Sequence, residues 1–197
     1  MNQIHFHRRN LPHIYIPERT YFITFRLKGS LPQNIINKLR SNADRLSALQ
    51  SVRYKEEKRF FKNYDDYLNK AQHGPTYLKN KEIAQIVFDA IKYRDNKEYK
   101  VICFCIMPNH VHLMFMQLEN SKTISQIMQS LKWYTAREAS KILNRSGSFW
   151  QAESYDHIVR DEDEYYRIIK YILNNPVKAG LVEKWDDWEF NYCNADW

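Results

Sequence analysis

Two histidines separated by one hydrophobic residue are the part of this sequence best suited to chemistry. Residues 107–113 read Met-Pro-Asn-His-Val-His-Leu and open an apolar run. In an extended strand, residues i and i+2 project from the same face, so His110 and His112 aim at one point while Val111 and Leu113 point into a core. Imidazole is the commonest protein metal ligand, so the pair is a candidate for two ligands of one ion. A pair of hydrogen-bonded surface histidines is the alternative interpretation.

A tyrosine and a carboxylate lie one helical turn apart downstream of this strand. Apolar residues recur at helical spacing from Thr123 to Leu143, which predicts a helix. Tyr134 and Glu138 fall at the edge of its apolar face and are neighbours on the helix surface. From spacing alone, Tyr134 is a tyrosine packing at a helix–sheet border with its hydroxyl hydrogen-bonded.

The remaining elements that must position these residues can be read along the chain. A strand is predicted over residues 21–27, a helix over 81–93, a hairpin from 99–106 and 110–116, a strand over 154–159 and a helix over 162–173. A polar region begins at Pro32, between the predicted strand over 21–27 and the predicted helix over 81–93. It has helical spacing over 35–49, and from Lys38 to Asn63 it carries eight Lys or Arg against three Asp or Glu. These charges are either a solvated helix face or a surface that follows a phosphate backbone.

The order of these elements predicts the fold class. We expect an α+β protein with a ferredoxin-like β-α-β-β-α-β core, in which an antiparallel sheet has helices on one face. The chain of 197 residues is one expected domain, 1–197, with a basic helical insertion over about 33–72 and a C-terminal extension over about 161–197.

The composition limits which binding partners and which cellular compartment we expect. The net charge of +7 is compatible with a polyanion such as nucleic acid. Three cysteines without a C-x-x-C spacing argue against a zinc ribbon and fit a reducing compartment. The polar N-terminal residues and the lack of a long apolar stretch indicate a cytoplasmic protein without a membrane partner.

Several segments together carry a family resemblance. The His-Val-His segment resembles the metal motif of the HUH single-strand DNA endonucleases, and residues 128–135 resemble the tyrosine helix of their single-tyrosine transposase branch. The chain is similar over nearly its whole length to the REP-associated tyrosine transposases, through residues 21–26, 73–75, 149–151, 155–161 and 171–182.

This resemblance implies a site and a reaction. Tyr134 would attack a DNA phosphate, with Tyr155 as the competing nucleophile, while His110 and His112 hold Mg²⁺ or Mn²⁺. Family members add a third ligand, commonly an amide one turn beyond the tyrosine. Here that position is Glu138, a carboxylate that suits a divalent cation or instead pairs with Lys141 or Arg137.

The resemblance also implies partners and products. We expect single-stranded or hairpin DNA next to a short repeat, and a nucleoid-associated monomer or homodimer. Lys132, Arg137 and Arg160 are expected phosphate contacts because they flank the proposed site. Cleavage would leave a 5′-phosphotyrosine link and a free 3′-hydroxyl.

Two alternatives stay open. A domesticated, cleavage-inactive protein would keep the fold and bind repeat hairpins only. An unrelated metal enzyme with two histidines and one carboxylate would have no affinity for DNA.

Overall fold

A five-stranded antiparallel sheet forms the centre of the molecule. The computed structural model describes residues 18–37, 61, 63–71 and 73–194, together with the backbone of 5–8 and 12–15. In chain order the strands are β1 (His5–Arg8), β2 (Pro12–Tyr15), β3 (Thr20–Arg26), β4 (Tyr99–Ile106), β5 (His110–Gln117), β6 (Tyr155–Ile158) and β7 (Asn191–Cys193). The strands β1 and β2 pair with each other, and the main sheet has the order β6-β3-β5-β4-β7.

Four α-helices whose ends both lie within the described residues flank the sheet. They are α1 (Lys81–Tyr93), α2 (Ile124–Ile142), α3 (Glu162–Leu173) and α4 (Asn175–Lys178). Residues 33–37 and 63–69 are also helical, and the segments Tyr77–Lys79 and Trp185–Asp187 form 3₁₀ turns.

Side chains that cap the first turns explain where the longer helices begin. Asn80 accepts hydrogen bonds from two backbone N–H groups of α1, Thr123 forms a capping box with Gln126 at the start of α2, and Asp161 accepts from Glu164 N in α3. Each cap satisfies donors that the helix itself cannot.

The two faces of the sheet carry separate hydrophobic clusters. Alternate residues of the central strands pack under α1 and α2, and they include Tyr21, Ile23, Phe25, Val111, Leu113 and Phe115. The intervening residues face the other way, where α3 covers Phe22, Cys103, Cys105 and Met114. Because side chains alternate along a strand, the residues of the central strands pack in turn beneath one helical layer and then the other.

The expected architecture is confirmed in class and in most elements. The antiparallel sheet and the β-α-β-β-α-β order from β3 to β6 are present, and the structure adds β1, β2 and β7. The core helices α1 and α2 lie on one face of the sheet, as expected, and α3, which falls in the expected C-terminal extension, buries Ile169, Ile172 and Leu173 on the second face. Of the expected basic insertion, residues 38–60 lie outside the described residues.

Two further observations concern the expected environment of the chain. All three cysteines are free thiols. Among the described helices, none combines the length and the apolar character that crossing a bilayer demands.

Candidate metal centre and the tyrosine beside it

The two histidines meet on the face of the sheet that α3 covers. In the register of β3 with β5, His112 is opposite Thr24 and His110 is opposite Arg26. The Nε2 atoms of the two imidazoles lie 3.0 Å apart, and both side chains are fully buried. The prediction that they converge on one point is confirmed, although a helical layer covers them.

The third group at this point is the carboxylate of Asp65. It comes from helical residues 63–69, and its Oδ1 lies 3.1 Å from Nε2 of His112 and 3.8 Å from Nε2 of His110. Its other oxygen, Oδ2, accepts a hydrogen bond of 2.8 Å from Asn69. Among the described residues, Asp65, His110 and His112 form the group of histidine and carboxylate side chains whose ligand atoms could share a metal ion.

Hydrogen bonds on the far side of each ring fix which nitrogen faces the centre. His110 Nδ1 lies 2.6 Å from the side-chain oxygen of Asn109, and an amide oxygen only accepts, so Nδ1 of His110 carries the proton. His112 Nδ1 lies 2.8 Å from the hydroxyl of Thr24, which can accept in the same way. Both Nε2 atoms are then left with a lone pair toward the centre, as metal-binding histidines require.

The spacing and the unmet hydrogen-bonding capacity of these atoms fit a divalent cation. Ligand atoms about 2.1 Å from a shared ion lie roughly 3.0–3.6 Å apart for angles of about 90–120°. The observed separations of 3.0, 3.1 and 3.8 Å are close to that range. Asp65 Oδ1 is buried, and no donor among the described residues meets it in standard hydrogen-bond geometry. A cation would satisfy this oxygen and the two lone pairs together.

The protonation states also suit a cation. Burial, with His112 close by, lowers the pKa of His110 to about 3, so the ring is neutral at physiological pH. Burial alone would raise the pKa of Asp65, but the neighbouring imidazoles of His112 and His110 bring it below its usual range. The centre therefore presents one anionic ligand and a neutral imidazole from His110 without losing a proton first.

One tyrosine lies against this centre, and it is Tyr171 of α3. Its ring centroid is 5.5 Å from that of His112, and it also packs against Phe22 and Phe61. Burial and then the adjacent Asp65 carboxylate raise the pKa of the Tyr171 phenol. The buried Oη interacts with the side chains of Asp65 and Asn175, and the ammonium of Lys178 lies 4.4 Å from the ring centroid.

An amide follows Tyr171 by one helical turn. Asn175 is fully buried, and its Nδ2 donates to the backbone oxygen of Tyr171 at 3.0 Å. Its Oδ1 accepts from Asn69, the residue that also holds Asp65. Asn175 thus ties the end of α3 to the helical residues that supply the carboxylate.

The structure does not bring Tyr134 to the histidines. Tyr134 lies on α2, whose buried residues pack into the cluster on the opposite face of the sheet, and its side chain is 40% exposed. Its described side-chain contact is with Arg137, whose guanidinium lies 5.8 Å from the ring centroid. The physical reason is that side chains alternate along a strand, so Val111 and Leu113 point to the opposite face from His110 and His112. The helix that covers the first pair cannot also cover the histidines.

Glu138 is likewise absent from the metal-binding group. Its two carboxylate oxygens accept from Arg137 and Lys141, both at 2.7 Å. These two cations lower the pKa of Glu138, first through Lys141. Glu138 therefore does not take the expected place beside the histidines, where the structure has Asp65 instead. The alternative, in which Glu138 pairs with Lys141 or Arg137, is what the structure shows.

The three expected phosphate contacts lie in different surroundings. The ammonium of Lys132 donates to the backbone oxygens of Gln151 and Ala152, and burial followed by Arg26 lowers its pKa to about 7. Arg137 stacks over the exposed ring of Trp133 at 4.8 Å. Arg160 is exposed just before α3, where its backbone N–H donates to Glu164.

Tyr155, the competing nucleophile, lies on β6. Its ring stacks on Phe61 at a centroid distance of 4.3 Å and meets Phe22 edge-on. It therefore belongs to the aromatic cluster beside the centre, whereas Tyr171 has the direct ring contact with His112.

The sequence interpretation gave no chemical role to Asp65, Tyr171 or Asn175, which lie at or beside the candidate centre. A signal for two of them was available. The family pattern of an amide one turn beyond the tyrosine fits Tyr171 and Asn175, which are four positions apart, better than it fits Tyr134 and Glu138. No comparable spacing marks Asp65, which reaches the centre only through tertiary packing.

Comparisons with known proteins agree with this architecture. A family model described as Transposase IS200 like matches residues 76–175, just over half of the chain. A Haemophilus influenzae protein provisionally named a REP-associated tyrosine transposase is 28% identical over 107 residues, which span 50% of this chain and 61% of the relative. A REP-associated tyrosine transposase of Escherichia coli K12 is 26% identical over 109 residues, 54% of this chain and 61% of the relative.

A solved structure extends the likeness to the fold of almost the whole chain. The structure of a REP-associated tyrosine transposase bound to a REP hairpin superimposes with a TM-score of 0.57 and 19% identity, covering 94% of this chain and 80% of the other. The matched regions of the two sequence relatives span less than two thirds of those proteins. The family match, the strand order and the paired histidines agree, and the chain belongs to the IS200-like transposase family.

Proposed function

We propose that this protein cuts and rejoins single-stranded DNA beside repeat hairpins, with Tyr171 in the nucleophilic role first expected of Tyr134. The observation that carries the proposal is the contact of Tyr171 with His112, beside three side chains that suit one cation. Membership of a transposase family supports the reaction class. A fold neighbour bound to a REP hairpin supports the kind of DNA.

Asp65, His110 and His112 would hold the divalent cation. When bound, Mg²⁺ or Mn²⁺ would polarise the scissile phosphate and offset the charge that develops on it. The chain's own contribution is rigidity, because Thr24 and Asn109 fix the two rings and Asn69 fixes the carboxylate.

Tyr171 would supply the attacking oxygen. Its Oη forms a bond to phosphorus while the bond from phosphorus to the 3′-oxygen breaks; the phenol loses its proton to solvent and the 3′-oxygen gains one. The products are a 5′-phosphotyrosine and a free 3′-hydroxyl. One phosphate ester replaces another, so the same steps in reverse rejoin the strand without ATP.

Residues around Tyr171 hold it in position and leave a side from which DNA can approach. Asn175 anchors the backbone of Tyr171 to Asn69, which keeps the phenol beside the centre. Tyr171 is half-buried and Lys178 is exposed, so the DNA strand would approach over these two residues. The ammonium of Lys178 would then meet the phosphate next to the attacked one.

The test is an assay for a covalent adduct. Labelled oligonucleotides with a repeat hairpin and a single-stranded tail, taken from DNA flanking the gene, are incubated with the protein and Mn²⁺ and run on a denaturing gel. We expect a slow protein–DNA band that disappears with EDTA and in Tyr171→Phe. Hairpin binding without any band would instead favour the cleavage-inactive alternative.

A further inference from the structure

Arg26 is a buried cation without a described anionic partner. It ends β3 directly opposite His110 and is only 3% exposed. Its Nε donates to the hydroxyl of Tyr64 at 2.9 Å, and Nη1 donates to Leu27 O at 3.4 Å and Ser30 Oγ at 3.3 Å. Within the described part of the chain, all of its hydrogen-bond acceptors are neutral and none is reached by Nη2.

A second buried arginine shows the usual arrangement. Arg94 is also buried, but its Nε lies 3.4 Å from the carboxylate of Glu98, and its other nitrogens donate to Ala90 O and Ser130 Oγ. Burying a charge without a counter-charge is costly, and proteins ordinarily pair it. Arg26 departs from that arrangement at the edge of the candidate metal centre.

A divalent cation held by Asp65, His110 and His112 would leave the surroundings of Arg26 with an excess of positive charge. Burial and the neighbouring guanidinium lower the pKa of Lys132, which places a second basic group close by, while Glu153 and Asp156 act in the opposite direction. With a divalent cation bound, Asp65 would offset only part of the positive charge beside Arg26. An anion is the group that would complete this charge balance.

We propose that Arg26 binds a backbone phosphate of the DNA strand and exchanges the Tyr64 hydroxyl for a phosphate oxygen. The inference rests on the proposed function and assigns a phosphate-binding residue to that same site. A planar guanidinium suits this task, because its fork of N–H groups matches two phosphate oxygens. The Tyr64 hydroxyl is a neutral acceptor that holds Arg26 in place until a charged acceptor arrives.

Salt dependence of DNA binding tests the proposal without cleavage. A fluorescent oligonucleotide with a repeat hairpin and a single-stranded tail is titrated in EDTA at several salt concentrations. The slope of log K against log salt is negative, and removing one arginine–phosphate interaction makes it shallower by about one. We expect this change for Arg26→Gln and an unchanged slope for Arg94→Gln, the matched buried arginine with a carboxylate partner.

A second variant decides the question if Arg26→Gln does not fold. Tyr64→Phe keeps the ring and removes the competing hydroxyl, so we expect DNA affinity to rise several-fold with an unchanged slope. Equal or weaker binding by Tyr64→Phe, or a wild-type slope in folded Arg26→Gln, would overturn the role of Arg26 and leave the proposed function standing. If the wild-type protein binds no such oligonucleotide either in EDTA or with Mn²⁺, both the proposed function and the role of Arg26 fall.

Discussion

The carboxylate of Asp65 lies 3.1 Å from Nε2 of His112, although the two residues belong to elements far apart in the chain. Asp65 comes from helical residues 63–69, whereas His112 lies in the central strand β5. This contact adds a carboxylate to the pair of imidazoles and completes a group of three side chains that could hold one metal ion. It also shows that the helical residues upstream of α1 are part of the site.

The ligand set gives the first prediction. Asp65→Asn keeps the shape of the side chain but removes its charge, so we expect Mn²⁺ affinity to fall at least tenfold in calorimetric titrations. Glu138→Gln is the matched carboxylate-to-amide control and should bind Mn²⁺ as the wild type does. A loss confined to Glu138→Gln would return the third ligand to α2.

The hydroxyl of Thr24, which contacts Nδ1 of His112, gives the second prediction. Thr24→Val is nearly isosteric and removes the hydroxyl 2.8 Å from Nδ1 of His112, which can accept a hydrogen bond from that nitrogen. Outer-shell partners of metal-bound histidines are typically worth about 10–100-fold in affinity. We therefore expect Mn²⁺ binding to weaken by about that factor while the thermal unfolding midpoint in EDTA changes little. Unchanged Mn²⁺ affinity would contradict the assigned tautomer.

The pH dependence of stability gives the third prediction. The pKa of His110 is about 3 in the folded protein and about 6.5 when unfolded, so the unfolded chain binds the extra proton between these values. The stabilisation is complete above pH 6.5 and is lost as the pH falls toward 3, by up to about 1.4 kcal/mol per pH unit. Urea unfolding in EDTA measures this slope, which should be shallower in His110→Gln. Equal slopes in the two proteins would refute the assignment to His110.

The core beneath α2 gives the fourth prediction. Leu113 is fully buried, while Met116 on the same strand is 38% exposed. Leu113→Ala should lower the free energy of unfolding by about 2–5 kcal/mol, because it removes buried apolar surface and leaves a cavity. Met116→Ala should change it by about 0.5 kcal/mol or less. Denaturant titrations compare the two, and similar losses would mean that α2 does not cover this face.

The fold could be predicted from sequence because its elements have clear periodicity. Strand β4 and helices α1 and α3 occupy the expected residues, since apolar spacing and capping residues mark their limits. Strand β7 was missed, because its three residues form a strand only by pairing with β4. Strand parity also predicted that His110 and His112 share a face.

The rest of the site depends on which helix covers which face. Sequence placed the nucleophile on α2 because that segment resembles a tyrosine helix, but periodicity alone does not say whether a helix packs above or below a sheet. The position of Asp65 depends on the docking of residues 63–69 through contacts such as Asn109 Nδ2 to Leu68 O. Contacts of that kind leave no regular pattern in the sequence.

The most direct test of the central claim is to identify the tyrosine that becomes linked to DNA. The protein is incubated with a hairpin-tailed oligonucleotide and Mn²⁺, digested with nuclease and protease, and analysed by mass spectrometry, with Tyr134→Phe and Tyr171→Phe in parallel. We predict a nucleotide on the peptide that contains Tyr171, formed equally well by Tyr134→Phe and absent in Tyr171→Phe. A nucleotide on Tyr134, or an adduct that survives in Tyr171→Phe, would contradict the assignment of Tyr171 as the nucleophile.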